Sequence, residues 1–339
     1  MYLSHEANLE SYYREYLPNF IQQHLVADNV KAGAGHRLHY RYAINPQAKA
    51  WVIVLQGRAE SAEKYAELID ELYQNGFSVF TFDHAGQGYS GRFNQNRMHG
   101  YIDSFDTYVD DAHDLISIHL AAVKGQHRQA HLPQFLLCHS MGSAIGTLLL
   151  IKHPQLCSHA VFCSPMYGIK APIPLMLARI MINVGLRMSQ FLGRKSLYFL
   201  GQGDYKSTAF DKNHLTSSPQ RYAWFKEYYD TNGDASIGGA SVQWLAAALT
   251  AMHNIEQNAH SLSHPALVFR AGDDHIVDNK AIASVVSSMQ NAQMIDIEGA
   301  QHEILFERDI YRQQAIKAIH SFFERALVSQ TDKRELTDA

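Results

Sequence analysis

The sequence predicts an α/β fold: a mostly parallel sheet with helices on both faces, interrupted by one inserted segment. Three observations predict it. Short apolar runs alternate with segments whose apolar residues recur at helical spacing, the pattern of strands joined by helical crossovers. That alternation breaks after Pro165 and resumes at about residue 240. With 46% hydrophobic and 18% charged residues in 339, the chain can bury a large core, which excludes a disordered chain, a collagen-like repeat and a coiled coil.

Taken in order, Trp51–Leu55 (WVIVL) reads as a buried strand. Tyr65, Leu68, Ile69, Leu72 and Tyr73 share a helix face that Asn75-Gly76 stops. Phe77–Phe82 is a strand, and Phe105, Tyr108, Val109, Ala112, Leu115, Ile116 and Leu120 mark a long amphipathic helix. Strand Phe135–His139, helix Gly142–Lys152 and strand Ala160–Ser164 follow. Residues 166–239 hold an apolar helix near Leu175–Met188, many aromatics and a glycine-rich end (DTNGDASIGGAS). They are expected to form a cap over the carboxyl ends of the strands, with 1–165 and 240–339 as the core. The core resumes with a helix near Val242–Met252, strand Ala266–Arg270, a helix from about Lys280, strand Met294–Ile297 and a long final helix. The last ten residues, QTDKRELTDA, are expected to be a solvated, frayed tail.

Charge narrows the partners. A net charge of −4 and a pI near 6.6 lack the basic excess of a nucleic-acid binder, so no nucleic acid is expected. Yet Leu115 to Gly203 holds no acid and eight basic residues: Lys124, Arg128, Lys152, Lys170, Arg179, Arg187, Arg194 and Lys195. This stretch predicts a basic face for an anionic substrate or an anionic membrane surface. Cys138, Cys157 and Cys163 lie in or beside apolar runs, which suits a reducing compartment. The amino terminus has no apolar core of a signal peptide. The apolar stretch Ile173–Met188 is interrupted by Arg179, Asn183 and Arg187 and is shorter than the about 20 residues of a membrane span. A cytoplasmic protein is expected, peripheral to a membrane at most. The twenty histidines include no HExxH or CxxC-type arrangement, so no metal is expected.

The chemistry is concentrated in LLCHSMGSAIG. A buried strand ends at His139, Ser140 follows, and Met141-Gly142 opens a small-residue helix, the strand–turn–helix of a nucleophile elbow. The position normally held by glycine is Cys138, whose sulfur needs its own space; inside a strand it should be unreactive rather than a second nucleophile. A serine needs a base, and the base an orienting acid. After ALVFR, the segment AGDDHIVDN offers Asp273, Asp274 and Asp278; after MIDIE, GAQHEILFE offers His302. Asp274 is the favoured acid and Asp273 the alternative, while Asp278 fits an N-cap. The oxyanion donors are expected to be the N–H groups of Met141 and of Arg58, in the QGRAES loop after the first strand. Gly86, Gly88 and Gly91 match GxGxxG, but no helix start follows and no acid sits about 20 residues on, so no dinucleotide or other cofactor is expected.

QGRAE, DHAGQGYSG, CHSMG, DDHIVDN and GAQHEILFE, in this order, resemble the monoacylglycerol lipase and lysophospholipase group of the α/β-hydrolase superfamily. The nearest likeness is to its bacterial branch of inner-membrane-associated lysophospholipases. The resemblance spans about residues 25 to 325. It implies an α/β-hydrolase fold, with nucleophile Ser140, acid Asp274, base His302, and oxyanion donors Arg58 and Met141. It also implies that Asp83, Gly86, Gly88 and Ser90 form a turn supporting the rim of the site. Gln56 departs from the histidine that many relatives carry there. The expected reaction is cleavage of a lipid monoester, with a lysophospholipid favoured over a monoacylglycerol by the basic cap. Leu175, Leu177, Ile180, Met181, Val184 and Met188 are expected either to line an acyl channel or to pack as cap core. An acyltransferase with the same triad, a broad carboxylesterase and a lipid-binding module remain the alternatives.

Overall fold

The structure, a computed structural model, describes residues 1–171 and 173–337, with side chains described to residue 329. Eight strands form one sheet in the order β1-β2-β4-β3-β5-β6-β7-β8. They are β1 (Leu25–Lys31), β2 (Arg37–Ala43), β3 (Ala50–Leu55), β4 (Phe77–Phe82), β5 (Gln134–His139), β6 (His159–Cys163), β7 (Ala266–Ala271) and β8 (Ala292–Ile297). β2 runs antiparallel to β1 and β4, and the rest of the sheet is parallel.

The inner parallel strands, β3 to β7, are apolar on both faces because both faces are covered. Trp51, Ile53 and Leu55 of β3 join Leu136, Cys138 and Phe162 in one core, against the Phe105–Asp114, Met141–Lys152 and Val242–Asn258 helices. The alternate residues Val52 and Val54 join Phe135, Leu137 and Val161 on the other face, against the Leu17–His24, Ala66–Gln74 and Asp309–Thr337 helices. From β3 the chain passes to β4 on one side and returns to β5 on the other. Such a reversal leaves a crevice at the carboxyl ends of the two strands. There Leu55 pairs with Cys138, so the loop after β3 lies beside the turn after β5.

The sequence-predicted strands recur within two residues of their expected ends, and Asp278 caps the Asn279–Ser288 helix by accepting from Lys280 N–H at 2.9 Å. Several elements were not anticipated, the Leu17–His24 helix among them. β1 and β2 form an edge hairpin, and β1 has mostly exposed residues, so it carries no apolar run. The Pro219–Thr231 helix follows Ser218, with proline in its first turn. At the carboxyl end the backbone is helical to Thr337 rather than frayed; the solvation expected for the last ten side chains lies outside the described residues.

The Pro219–Thr231 helix is fastened by charge. Arg221 donates to Glu67 Oε1 at 2.9 Å and Asp309 Oδ1 at 3.0 Å, while Arg312 pairs with Glu71 at 2.7 Å, all behind the sheet's second face. Among the described residues no helix is long and apolar enough to cross a membrane.

Candidate active site

Ser140 ends β5 with φ +50° and ψ −115°, a conformation that costs a non-glycine residue about 1–3 kcal/mol. The surroundings enforce it. Ser140 N–H donates to Cys163 O at 3.0 Å, and a Cβ at Gly142 would meet Leu55 O at 2.2 Å and Gln56 O at 2.5 Å. Only glycine lets the following helix start this close to β3. The helix begins at Met141, so the positive end of its dipole lies at the turn that carries Ser140.

The expected charge relay partners meet here. Ser140 Oγ lies 2.9 Å from His302 Nε2, and His302 Nδ1 lies 2.8 Å from Asp274 Oδ2. All three are nearly buried. The other oxygen of Asp274 accepts the N–H groups of Ile276 at 2.7 Å and Val277 at 3.0 Å. Burial pushes this carboxyl up, but the contact with His302 and the two N–H groups outweigh it and hold it below the ordinary carboxylate value. Asp273 is elsewhere: it is largely exposed and faces His275 at 3.2 Å. Of the two alternatives, Asp274 is the one in contact with His302.

Cys138 is fully buried, and burial drives its thiol well above the ordinary value, which removes it as a nucleophile. Its sulfur is accommodated by Gly146, where a Cβ would lie 2.6 Å from it. The missing elbow glycine is thus matched by a glycine two turns into the helix.

The DHAGQGYSG turn braces the segment that follows β3. Asp83 accepts Ala62 N–H and Tyr89 N–H, both at 2.7 Å, and Ser90 Oγ donates to Asp83 O at 2.6 Å. Gln87 accepts Ala59 N–H at 2.5 Å, pinning the loop after β3. Arg58 was expected to matter for its N–H. Its guanidinium also bonds Gly238 O at 2.8 Å and Gly239 O at 2.7 Å and lies over Trp244. With carbonyls rather than a carboxylate as partners, burial lowers its pKa to about 10. The loop beside Ser140 is thereby tied to the glycine-rich end of the long β6–β7 connection.

A cavity of about 540 Å³ opens above Ser140 and His302, with Arg58, Tyr205, Lys206, Lys226 and His275 among its walls. A second, of about 450 Å³, is lined by Ala178, Ile182, Phe199, Leu249 and Met252. Ile169, Lys170, Gln202, Ala240 and Leu245 border both.

Two expectations change here. The apolar stripe of the Leu175–Phe191 helix neither lines a channel nor packs as core, save Leu175 at the second cavity: Leu177, Ile180, Val184 and Met188 are 46–52% exposed. The helix instead turns its small face inward, since a Cβ at Gly185 would meet Val242 Cγ1 at 2.7 Å, and Gln243 Nε2 donates to Ser189 Oγ at 2.8 Å. Nor do the eight basic residues form one face. Lys124 is buried near the opposite end of β5, bonding Leu132 O at 2.8 Å; Lys152 pairs with Asp110; Lys170 bonds the carbonyl of Asp274. Arg187, Arg194 and Lys195 remain together at the exposed helix.

Sequence reasoning gave no role to His139, Glu60, Lys64 and Glu303, which form a buried charged cluster on the wall of the cavity over Ser140. Each is adjacent to, or within a helical turn of, a residue that was singled out, and charged residues in otherwise apolar motifs were the available signal.

A family model described as serine aminopeptidase, S33, matches residues 46–309. The chain is 32% identical over 290 residues to a probable lysophospholipase L2 of Haemophilus influenzae, covering 84% of this chain and 88% of that protein. It is 34% identical over 283 residues to the lysophospholipase L2 of Escherichia coli strain K12, covering 81% of this chain and 80% of that one. Among solved structures, a soluble variant of monoglyceride lipase from Saccharomyces cerevisiae matches with a TM-score of 0.67 at 17% identity, over 88% of this chain and 94% of that one. The last likeness is one of fold.

Proposed function

The chain belongs to the α/β-hydrolase family described as serine aminopeptidase, S33, and from that premise we propose that it is a serine esterase that removes the acyl chain of lysophospholipids. The observation that carries this reading is the hydrogen-bonded series from Ser140 through His302 to Asp274, with the serine held at a strained elbow. Ser140 Oγ attacks the ester carbonyl as His302 Nε2 takes its proton. Asp274 fixes the tautomer of His302 and stabilises the imidazolium. The N–H groups of Arg58 and Met141 receive the oxyanion. His302 then protonates the departing glycerol oxygen, leaving an acyl-enzyme. Water, deprotonated by His302, attacks that ester and releases the fatty acid.

The relatives named lysophospholipase L2 support the substrate class. Residues 166–239 act as a cap, held to the loop after β3 through Arg58. The cavity under the Leu175–Phe191 helix, apolar along most of its wall, takes the acyl chain, and the one above Ser140, with Lys206 and Lys226 on its wall, takes the head group. The exposed stripe of Leu177, Ile180, Val184, Met188 and Phe191, beside Arg187, Arg194 and Lys195, docks the cap on an anionic membrane, its apolar side chains entering the lipid and its basic ones meeting head groups.

Product analysis with a panel of lysophospholipids, monoacylglycerols and short chromogenic esters tests this reading. Lysophospholipids should give free fatty acid with the highest kcat/KM. Preference for monoacylglycerols would make the enzyme a neutral lipase, and acyl transfer to a second lipid in place of hydrolysis would make it a transferase.

A further inference from the structure

We propose that His139, the residue before the nucleophile, is held as an imidazolium and acts as a positioning residue that ties the His302 loop to the Glu60 carboxylate. The proposal rests on the esterase reading of Ser140 and His302. The argument begins with what surrounds the ring. His139 Nδ1 lies 3.2 Å from Glu60 Oε2, and His139 Nε2 lies 3.3 Å from the backbone carbonyl of His302. A carbonyl only accepts, and an ionised carboxylate only accepts. Both ring nitrogens therefore have to donate, and an imidazole with two N–H groups is a cation.

Glu60 has partners besides His139 that favour its charge. Its Oε2 also accepts Gly57 N–H at 2.5 Å and Tyr65 O–H at 2.6 Å, and its Oε1 accepts Lys64 Nζ at 2.8 Å. Burial opposes that charge, but Lys64 and His139 outweigh it and hold the carboxyl well below its ordinary value. Lys64 bridges onward to Glu303 Oε1 at 2.6 Å and is covered by the rings of Phe225 and Phe306. His139, Glu60, Lys64 and Glu303 are each at most 4% exposed. With His139 protonated the four charges cancel; with His139 neutral a net negative charge would be buried without compensation, which is costly. For His139 itself, burial works against protonation, and the Glu60 carboxylate more than reverses it, so its pKa is raised.

The groups facing this ring come from four directions. Glu60, Lys64 and Tyr65 follow β3; His84, bonded to Gln56 O at 3.0 Å, follows β4. His302, Glu303 and, through His302, Asp274 follow β8 and β7. The His139 and His302 rings are 5.0 Å apart. The device therefore joins three segments to one carboxylate: Gly57 before the oxyanion donor Arg58, the strand end before Ser140, and the carbonyl of the base.

The test has two parts, both on the full chain. Nitrogen-15 NMR of histidine-labelled enzyme at pH 8, where an ordinary histidine of pKa about 6.5 is neutral, should show one ring with both nitrogens protonated, and Glu60→Gln or His139→Gln should remove it. Absence of such a ring overturns the proposal, whatever the enzyme hydrolyses. The second part is kinetic. In His139→Gln, kcat should fall about tenfold to a hundredfold with KM nearly unchanged, because the carbonyl of His302 loses its tie to Glu60. In the Glu60→Gln/His139→Gln double variant, which leaves no uncompensated carboxylate, part of that loss should be recovered. A rise in KM with kcat unchanged, or no recovery in the double variant, would reduce His139 to packing and overturn the positioning role. Loss of all esterase activity in wild type, with the NMR signature present, would instead refute the reading of Ser140.

Discussion

Replacing Gly146 by alanine should expose how the elbow tolerates a cysteine at position 138. The new Cβ would stand 2.6 Å from Cys138 Sγ and 3.0 Å from Leu136 Cδ2, whereas relaxed contacts are about 3.5–4.0 Å. The first overlap is near one ångström in a core with no slack, and such overpacking costs about 1–3 kcal/mol. Alanine in a helix interior returns up to about 1 kcal/mol relative to glycine, so Gly146→Ala alone should destabilise by about 0–2 kcal/mol. In the Cys138→Gly background the sulfur is gone, and the same alanine should be neutral or stabilising. The assay is urea unfolding of wild type, both single variants and the double variant. A coupling of about 1–3 kcal/mol is expected between the two positions. Additivity within about 0.5 kcal/mol, the behaviour of independent sites, would refute the idea that Gly146 makes room for Cys138.

Three further outcomes follow from the structure. Asp274→Asn should lower kcat by on the order of 10⁴, the loss measured for the equivalent change in the serine-protease triad, while Asp273→Asn changes it little; ester hydrolysis kinetics of both variants decide the ranking. Glu67, where burial is outweighed by Arg312 and Arg221, has a folded pKa of about 2 against an ordinary 4.5. A lowered carboxylate stabilises the fold above its unfolded value and loses that contribution as pH falls through its folded value. The urea midpoint should therefore decline from about pH 4.5 down to 2, and Glu67→Gln, which leaves Arg221 with Asp309 and Arg312 with Glu71 as their remaining carboxylates, should cost about 1–3 kcal/mol at pH 7. Replacing Arg187, Arg194 and Lys195 together by glutamine should weaken sedimentation with anionic vesicles, since each basic residue near such a surface contributes about 1 kcal/mol. The difference should shrink at high salt and leave turnover of a small soluble ester unchanged; equal vesicle binding would remove the membrane-docking role.

Strands buried on both faces announce themselves as continuous apolar runs, which is why β3 to β7 and the loops at their carboxyl ends were legible in the sequence; the edge strand β8 is only partly buried and shows as the short mixed run MIDIE. Ser140, His302 and the region of Asp274 could be located because each lies just past such a run. Choosing Asp274 over Asp273 needed the fold, because neighbouring residues in a loop point in different directions. The edge strand β1, half solvent-facing, lacks the run that would reveal it. The Leu175–Phe191 helix was visible, but its orientation was not: the sequence shows an apolar stripe and a small-residue face, and close packing of Gly185 on Val242 sends the small face inward. The His139 cluster was hidden for a different reason. Its members come from three separate loops, and only their convergence turns scattered charges into a neutral buried unit.

The most direct measurement is covalent labelling with a serine-reactive fluorophosphonate, read by intact mass and peptide mapping beside esterase activity. Wild type should take up one adduct, mapped to Ser140, as activity is lost. Ser140→Ala should take up none and hydrolyse no ester, with its unfolding transition preserved. An adduct persisting in Ser140→Ala, or one mapped to Cys138 or any other residue, would contradict the account.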